Sequence, residues 1–163
     1  MFLFSYYSRG INFIDVLLLK KSDRSGDTIT YIRRKTGVIV SFKLNDYTKE
    51  IIKKYSAEPS SPYIFNFIIA QDPSENYIQN KKRKVLTQRI NEPLKKIIEE
   101  LEIPKNITYY CARHSFATQL KFNNISIDIT KEALGHKDIK STMAYLNSLP
   151  SKKLDQIIED VLV

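Results

Sequence analysis

Cysteine is all but missing from this chain. Cys111 is the single one among 163 residues, so no disulfide framework and no multi-cysteine zinc site can be built, and a reducing compartment suits the composition. Histidine is nearly as scarce: His114 and His136 are the whole complement, which leaves few options for a metal centre. Tryptophan does not occur, and the four glycines and six prolines exclude a low-complexity or collagen-like chain. Long apolar runs are missing as well. The stretch from Phe13 to Leu19 is broken by Asp15, so no membrane span is encoded. The opening Met1-Phe2-Leu3-Phe4 has no basic start of the kind that marks a secretory signal. It reads instead as a chain that begins inside a hydrophobic helix, and the expectation is a fragment of a longer protein.

What the chain does have is a core and a positive charge. An apolar share of 42% against a charged share of 27% is the balance of a folded domain. The length predicts one domain over 1–163. Lys and Arg number 26 against 18 Asp and Glu, a formal charge of +8 with a pI near 9.4, and such a surplus favours a polyanionic partner, most simply nucleic acid.

The periodicities predict a mainly α protein with one small antiparallel sheet. Two apolar stretches flank Ser8-Arg9-Gly10, and the second, Ile11 to Leu19, reads as a helix with Phe13, Val16 and Leu17 on one stripe. Residues 27–33 and 38–42 are β-branched and roughly alternating, a hairpin with Lys35-Thr36-Gly37 at its tip. Asn45 can cap a helix whose inner face is Tyr47, Ile51, Ile52 and Tyr55. Tyr63 to Ala70 is apolar without a clear period. Lys81-Lys82-Arg83-Lys84 opens the most basic region. Leu94, Ile97, Ile98 and Leu101 form a helical stripe, with Pro93 either kinking that helix or marking its first turn. Thr108 can cap a helix from Tyr109 to about Lys121, and Ser126 the next, which Gly135 stops. A helix near Ser141 to Asn147 follows, then Pro150. A last helix, 152–162, carries Leu154, Ile157, Ile158, Val161 and Leu162 on one stripe.

Several polar residues stand where this pattern has no structural use for them. Arg113 projects beside Tyr110, three residues earlier on the same helix face. His136 follows the glycine that ends a helix, which frees its ring to enter a cleft, and Tyr145 lies nine residues further on. Arg9 sits at a break between helices and Lys35 at a hairpin tip. Taken singly, each is an ordinary surface, ion-pair or packing residue.

Taken in order, they resemble a known family. Arg113-His114-Ser115-Phe116-Ala117-Thr118, then Leu134-Gly135-His136, then Tyr145, is similar to the catalytic domain of tyrosine recombinases, the phage integrase family. Ser8-Arg9-Gly10 with Asp15 resembles that family's first arginine box and its supporting carboxylate. Arg34-Lys35-Thr36-Gly37 resembles the hairpin that carries its catalytic lysine. The likeness runs from Tyr6 to about Leu149, and it departs at Tyr110-Cys111-Ala112-Arg113, where the family usually has His-x-x-Arg.

The resemblance implies an integrase-type fold and a catalytic set of Arg9, Lys35, Arg113, His136 and Tyr145, supported by Asp15 and by His114, the latter mainly structural. Tyr110 is either a phosphate contact or a packing residue, and Cys111 a small core residue. Two arginine forks would neutralise the charge that grows on a phosphodiester, so neither a metal nor another cofactor is required. Tyr145 would attack phosphorus and store the bond as a 3′-phosphotyrosine. Lys35 would protonate the departing 5′-oxygen, and His136 would either accept the tyrosyl proton or hydrogen-bond the phosphate. The implied partners are double-stranded DNA and further copies assembled on it, with no membrane and no small molecule, in the bacterial cytoplasm. The family's usual N-terminal DNA-binding domain is not in this chain, and residues 151–163 would be the element that either packs on its own domain or docks on a neighbouring protomer. Two other functions fit the same boxes: a DNA-relaxing enzyme of the type IB topoisomerase kind, and a non-catalytic DNA-binding or assembly module.

Overall fold

The computed structural model describes residues 1–69 and 72–148. The stripe at 152–162 lies outside the described residues, as does Ala70. Eight α-helices and one three-stranded antiparallel sheet are found among those described, the mainly α arrangement the periodicities predict. No helix among them is long and apolar enough to cross a membrane.

Helices α1 (Phe2–Tyr7) and α2 (Phe13–Leu18) meet at a sharp turn in which Arg9 and Gly10 both take positive φ, +58° and +67°. The turn is held from inside: Ser5 Oγ and the Tyr109 hydroxyl both donate to the Ile11 carbonyl, at 2.8 and 3.1 Å. Strands β1 (Arg24–Ser25), β2 (Thr28–Ile32) and β3 (Ile39–Lys43) pair in sequence order. In the hairpin Ile29 faces Phe42 and Tyr31 faces Val40. All four are buried, while Thr30 and Ser41 share a hydroxyl hydrogen bond on the solvent side. The hairpin lies where the alternation puts it; the two-residue β1, too short to show a period, is the addition.

Asn45 caps α3 (Asp46–Tyr55), its side chain accepting from the Thr48 N–H. The buried positions of α3 are Thr48 and Ile52, not Tyr47 and Tyr55, which are exposed. Tyr47 instead stacks on Tyr7, with centroids 4.8 Å apart. A phenol ring on a surface helix gains as much from a neighbouring ring at the rim as from the interior, and keeps its hydroxyl wet. Residues 63–69 are neither helix nor strand. Tyr63 and Phe65 form isolated bridges to Lys20 and Ser56, and the segment buries Tyr63, Ile64, Phe65 and Ile68 beneath the sheet and helices.

Helix α4 (Glu75–Val85) carries the basic run. It passes through a π-helical turn, Leu86–Asn91, into α5 (Glu92–Glu100). Pro93 sits in the first turn of α5. Its ring would crowd the carbonyl of Arg89 four residues back in an ordinary helix, and the wider π turn relieves that contact. Of the expected stripe only Leu94 packs on the core; Ile97 and Leu101 are exposed.

Helix α6 (Tyr110–Phe122) begins without Thr108 as its cap. The Tyr109 N–H donates to Asn91 Oδ1 of the π turn, at 3.0 Å. Cys111 is half-buried rather than in the core, its sulfur accepting from the Thr108 N–H. Ser126 caps α7 (Ile127–Leu134), Gly135 ends it at φ +60°, and Asp138 caps α8 (Ile139–Asn147), which starts earlier than the Ser141 expected.

Gly10 decides how closely α6 can approach the α1–α2 turn. A Cβ there would stand 2.9 Å from Arg113 Cγ and 3.0 Å from its Cα, at a positive φ besides. Gly26 also has positive φ but faces open space. Gly10→Ala is therefore expected to cost about 2–4 kcal/mol, overpacking plus left-handed strain, and Gly26→Ala about 1 kcal/mol. Urea unfolding of the two variants checks the difference.

Candidate active site

Arg113 is 3% exposed, yet it is a charge. Its Nη1 donates to the Gly10 carbonyl at 2.8 Å and its Nη2 to the Leu134 carbonyl at 2.6 Å. Those carbonyls come from the α1–α2 turn and the end of α7, so one guanidinium joins three parts of the chain. Burial lowers its pKa, and the neighbouring Arg33 acts the same way. An arginine starts so high that it stays ionised.

His136 lies directly after Gly135. Its Nε2 is 3.3 Å from Arg113 Nη2 and its Nδ1 3.0 Å from Thr142 Oγ1. Arginine only donates, so Nε2 must be the acceptor and Nδ1 carries the proton, given to the threonine oxygen. Thr142 is fully buried and donates onward to the Asp138 carbonyl. Burial first, and the charges of Arg113 and Arg33 next, push the His136 pKa down to about 4. The ring is neutral at physiological pH.

Tyr145 on α8 projects into the same place. Its hydroxyl is 3.0 Å from His114 Nδ1, and the two rings stack with centroids 5.2 Å apart. His136 meets Tyr145 only edge-to-face. His114, expected to be mainly structural, is thus the hydrogen-bond partner of Tyr145, while His136, expected either to accept the tyrosyl proton or to hydrogen-bond the phosphate, is not. The reason is helical geometry: His114 follows Arg113 on α6 and so turns away from the buried guanidinium toward α8. Burial raises the Tyr145 pKa to about 12, so the hydroxyl is protonated and donates.

Lys35 is exposed at the hairpin tip and lines a cleft of about 290 Å³ together with Arg33, Tyr110, Arg113, His136 and Tyr145. Tyr110 is half-exposed and sets its ring edge-on to His114. Asp15 is buried behind the cleft, where its Oδ1 accepts the Arg34 N–H at 2.9 Å and so fixes the base of the hairpin loop. Its Oδ2 has no partner, and burial raises its pKa against the lowering pull of Arg33 and Arg113.

Arg9 does not line the cleft. It is half-buried, and its left-handed turn presents the Gly10 carbonyl, not the Arg9 side chain, to Arg113. Arg33, which the motif order does not single out, is there instead. The signal for it was present in the alternation: Ile29, Tyr31 and Arg33 are i, i+2 and i+4 on one strand face. Among the described residues no group of three His, Cys, Asp or Glu side chains could hold a metal ion.

A helical domain with a short sheet, in which a buried arginine, a neutral histidine, a hairpin-tip lysine and a tyrosine line one cleft, defines a class. The profile of the phage integrase family matches residues 11–152, and the chain belongs to that family, the tyrosine recombinases. A tyrosine recombinase XerD of Oceanobacillus iheyensis is 30% identical over 114 residues, 69% of this chain and 37% of that protein. A probable integrase/recombinase of Methanocaldococcus jannaschii is 28% identical across 96% of this chain and 47% of its own length. The chain thus spans less than half the length of either relative. Among solved structures, XerA recombinase superposes with a TM-score of 0.67 at 18% identity, over 96% of this chain and 55% of that one. The catalytic domain of bacteriophage HP1 integrase gives 0.52 at 19% identity, over 97% and 78%.

The two histidines make the electrostatics measurable. In an NMR titration the His136 ring is expected to hold its neutral shifts down to about pH 5.5 and to move only near pH 4; an ordinary midpoint near 6.5 would contradict its enclosure. Because the folded pKa is depressed, the unfolded chain binds the extra proton first. The stabilising contribution of His136 is complete above pH 6.5 and is lost as pH falls from there toward about 4.

Proposed function

We propose that this chain is the catalytic unit of a site-specific DNA recombinase, which cuts and rejoins strands through a 3′-phosphotyrosyl intermediate. The observation that carries the proposal is the convergence of Lys35, Arg113, His136 and Tyr145 on one cleft from four separate elements. In this reading Arg113 holds a non-bridging oxygen of the scissile phosphate, and neutral His136 is fixed beside it as a further polar contact. The Tyr145 oxygen attacks phosphorus and the P–O5′ bond breaks. The phenolic proton passes to His114 Nδ1, and the Lys35 ammonium gives a proton to the leaving 5′-oxygen. Rejoining is the reverse, with the 5′-hydroxyl of another strand as nucleophile. The bond energy is kept in the phosphotyrosine, so no nucleotide cofactor enters.

Double-stranded DNA is the substrate in this reading. The cleft shares Arg33, Lys35 and Tyr110 with an adjoining hollow that adds Asn12, Arg34 and Lys82, a cationic track suited to a phosphate backbone. Self-association on DNA goes with the same reading. Lambda integrase has been solved as a dimer on a core site and XerH on a palindromic substrate, with TM-scores of 0.54 and 0.60 to this chain. A DNA-associated place in the bacterial cytoplasm completes it.

The test uses duplexes nicked at one position and randomised around it, from which the short 5′-hydroxyl fragment diffuses away and any adduct accumulates. Wild-type protein is expected to give a protein–DNA adduct that survives denaturation, in the presence of EDTA, and Tyr145→Phe none. Adduct formation by Tyr145→Phe would remove Tyr145 from the role.

Lys35 is tested through its leaving group. Lys35→Ala is expected to slow cleavage of the normal linkage by about two to four orders of magnitude and to cleave a 5′-thio linkage at close to the wild-type rate, because a thiolate leaves without a proton. Equal loss on both linkages would reduce Lys35 to a backbone contact.

A further inference from the structure

Arg33 ends the hairpin's inner row. It is 5% exposed and wedged beneath the α7–α8 turn: a Cβ on Gly135 would meet its Cδ at 3.1 Å. Its Nη1 donates to the Gly135 carbonyl at 2.7 Å, which holds the guanidinium in one orientation. Its Nε is fully enclosed and donates to nothing. The ion pairs among the described residues are Arg34–Glu75, Lys49–Asp27 and Lys95–Glu99, so neither Arg33 nor Arg113 has a carboxylate against it. Asp15 influences both, but among the described residues its side chain accepts only from the Arg34 backbone.

Two like charges are therefore held close together with little exposure, and both residues line one cleft. That arrangement is costly for the protein alone, since a buried guanidinium needs an anion or a full set of acceptors. A tetrahedral oxyanion between the two supplies both: negative charge, and acceptor oxygens in a geometry that suits guanidinium forks.

We infer that Arg33 is the second fork of the phosphate site, acting with Arg113 on the non-bridging oxygens in the place that the motif order assigns to Arg9. The inference rests on the strand-cleaving reading only for the phosphate's being a diester in DNA. Among the described residues the Arg9 side chain has no hydrogen-bond or ion-pair partner, and Arg9 does not line the cleft.

Inorganic phosphate, titrated into the full chain at pH 7.5, tests the clamp without any cleavage. The readout is the ring signals of His136 and His114, the only histidines in the sequence. Phosphate is expected to shift His136 saturably in the wild type. Arg33→Met should weaken binding at least tenfold, and Arg9→Met should change it less than twofold. Arg33→Lys keeps a charge and a stem but no fork; it serves if the methionine variant fails to fold, and binding is again expected to weaken. Undiminished binding by the Arg33 variants, an equal loss in Arg9→Met, or no phosphate binding by the wild type would each overturn the inference.

A second measurement asks about the reaction. With the nicked duplexes, Arg33→Met is expected to lose about two to three orders of magnitude in adduct formation and to regain most of it on a methylphosphonate linkage, whose neutral centre needs one fork fewer. A loss that the neutral linkage does not restore would mark Arg33 as structural and overturn its role. Phosphate binding as expected, with no adduct from the wild type, would leave the clamp standing and bring down the strand-cleaving reading instead.

Discussion

An ionised guanidinium loses several kcal/mol of hydration when it leaves water, and this fold takes two of them out together. The surroundings of Arg113 and Arg33 are arranged around that cost. Three backbone carbonyls, of Gly10, Leu134 and Gly135, turn inward to accept from them. Two are presented by glycines at positive φ, the Gly10 carbonyl toward Arg113 on α6 and the Gly135 carbonyl toward Arg33 on the hairpin. The same glycines have no Cβ to block the approach. Packing, turn geometry and charge placement are thus one requirement: the turns exist in this form because an arginine must be fed acceptors from both sides.

The cleft built around those charges separates its two histidines by role. His136 is locked between a donor and an acceptor, Arg113 and Thr142, and kept neutral by its surroundings. It can offer little proton traffic and much positional order. His114 is held by the tyrosyl hydroxyl, by stacking on Tyr145 and edge-on by Tyr110. Tyr145 in turn is kept as a phenol by burial. The nucleophile proposed above is therefore placed but not ionised, as a strand-cleaving role that waits for a seated substrate requires.

Much of this was legible from residue order. Arg113, His136 and Tyr145 sit on or beside helices whose caps and periodicity are local, and their order carries the family resemblance that groups them. The hairpin was legible because Ile29, Tyr31, Val40 and Phe42 alternate cleanly. Arg33 was not, although it continues that alternation, because an arginine at a strand end normally turns to water, and what keeps it inside is a carbonyl 102 residues away. Arg9 enters the expected set through the resemblance of Ser8-Arg9-Gly10 to an arginine box, which carries no information on where the backbone turns. Two consecutive left-handed residues redirect that loop, and no pattern of side chains announces a backbone φ at a non-glycine position. The exposed Tyr47, Tyr55 and Ile97 show the remaining gap: periodicity says which residues share a face, not which face finds a neighbour.

The π turn at Leu86–Asn91 gives the basic helix one residue more than an α-helical path would hold. Each residue of an α-helix advances the azimuth by roughly 100°, so the lysines of α4 and the apolar stripe of α5 are set out of phase by that amount. Lys82 can then line the hollow beside the cleft while Leu94 packs on the core, along what is otherwise a single rod. The turn works as a phase adjuster. It also ties phase to the site, because Asn91, its last residue, receives the N–H that begins the arginine's own helix. A single-residue deletion anywhere in 86–91 would leave the helix intact by spectroscopy and still rotate its two halves out of alignment.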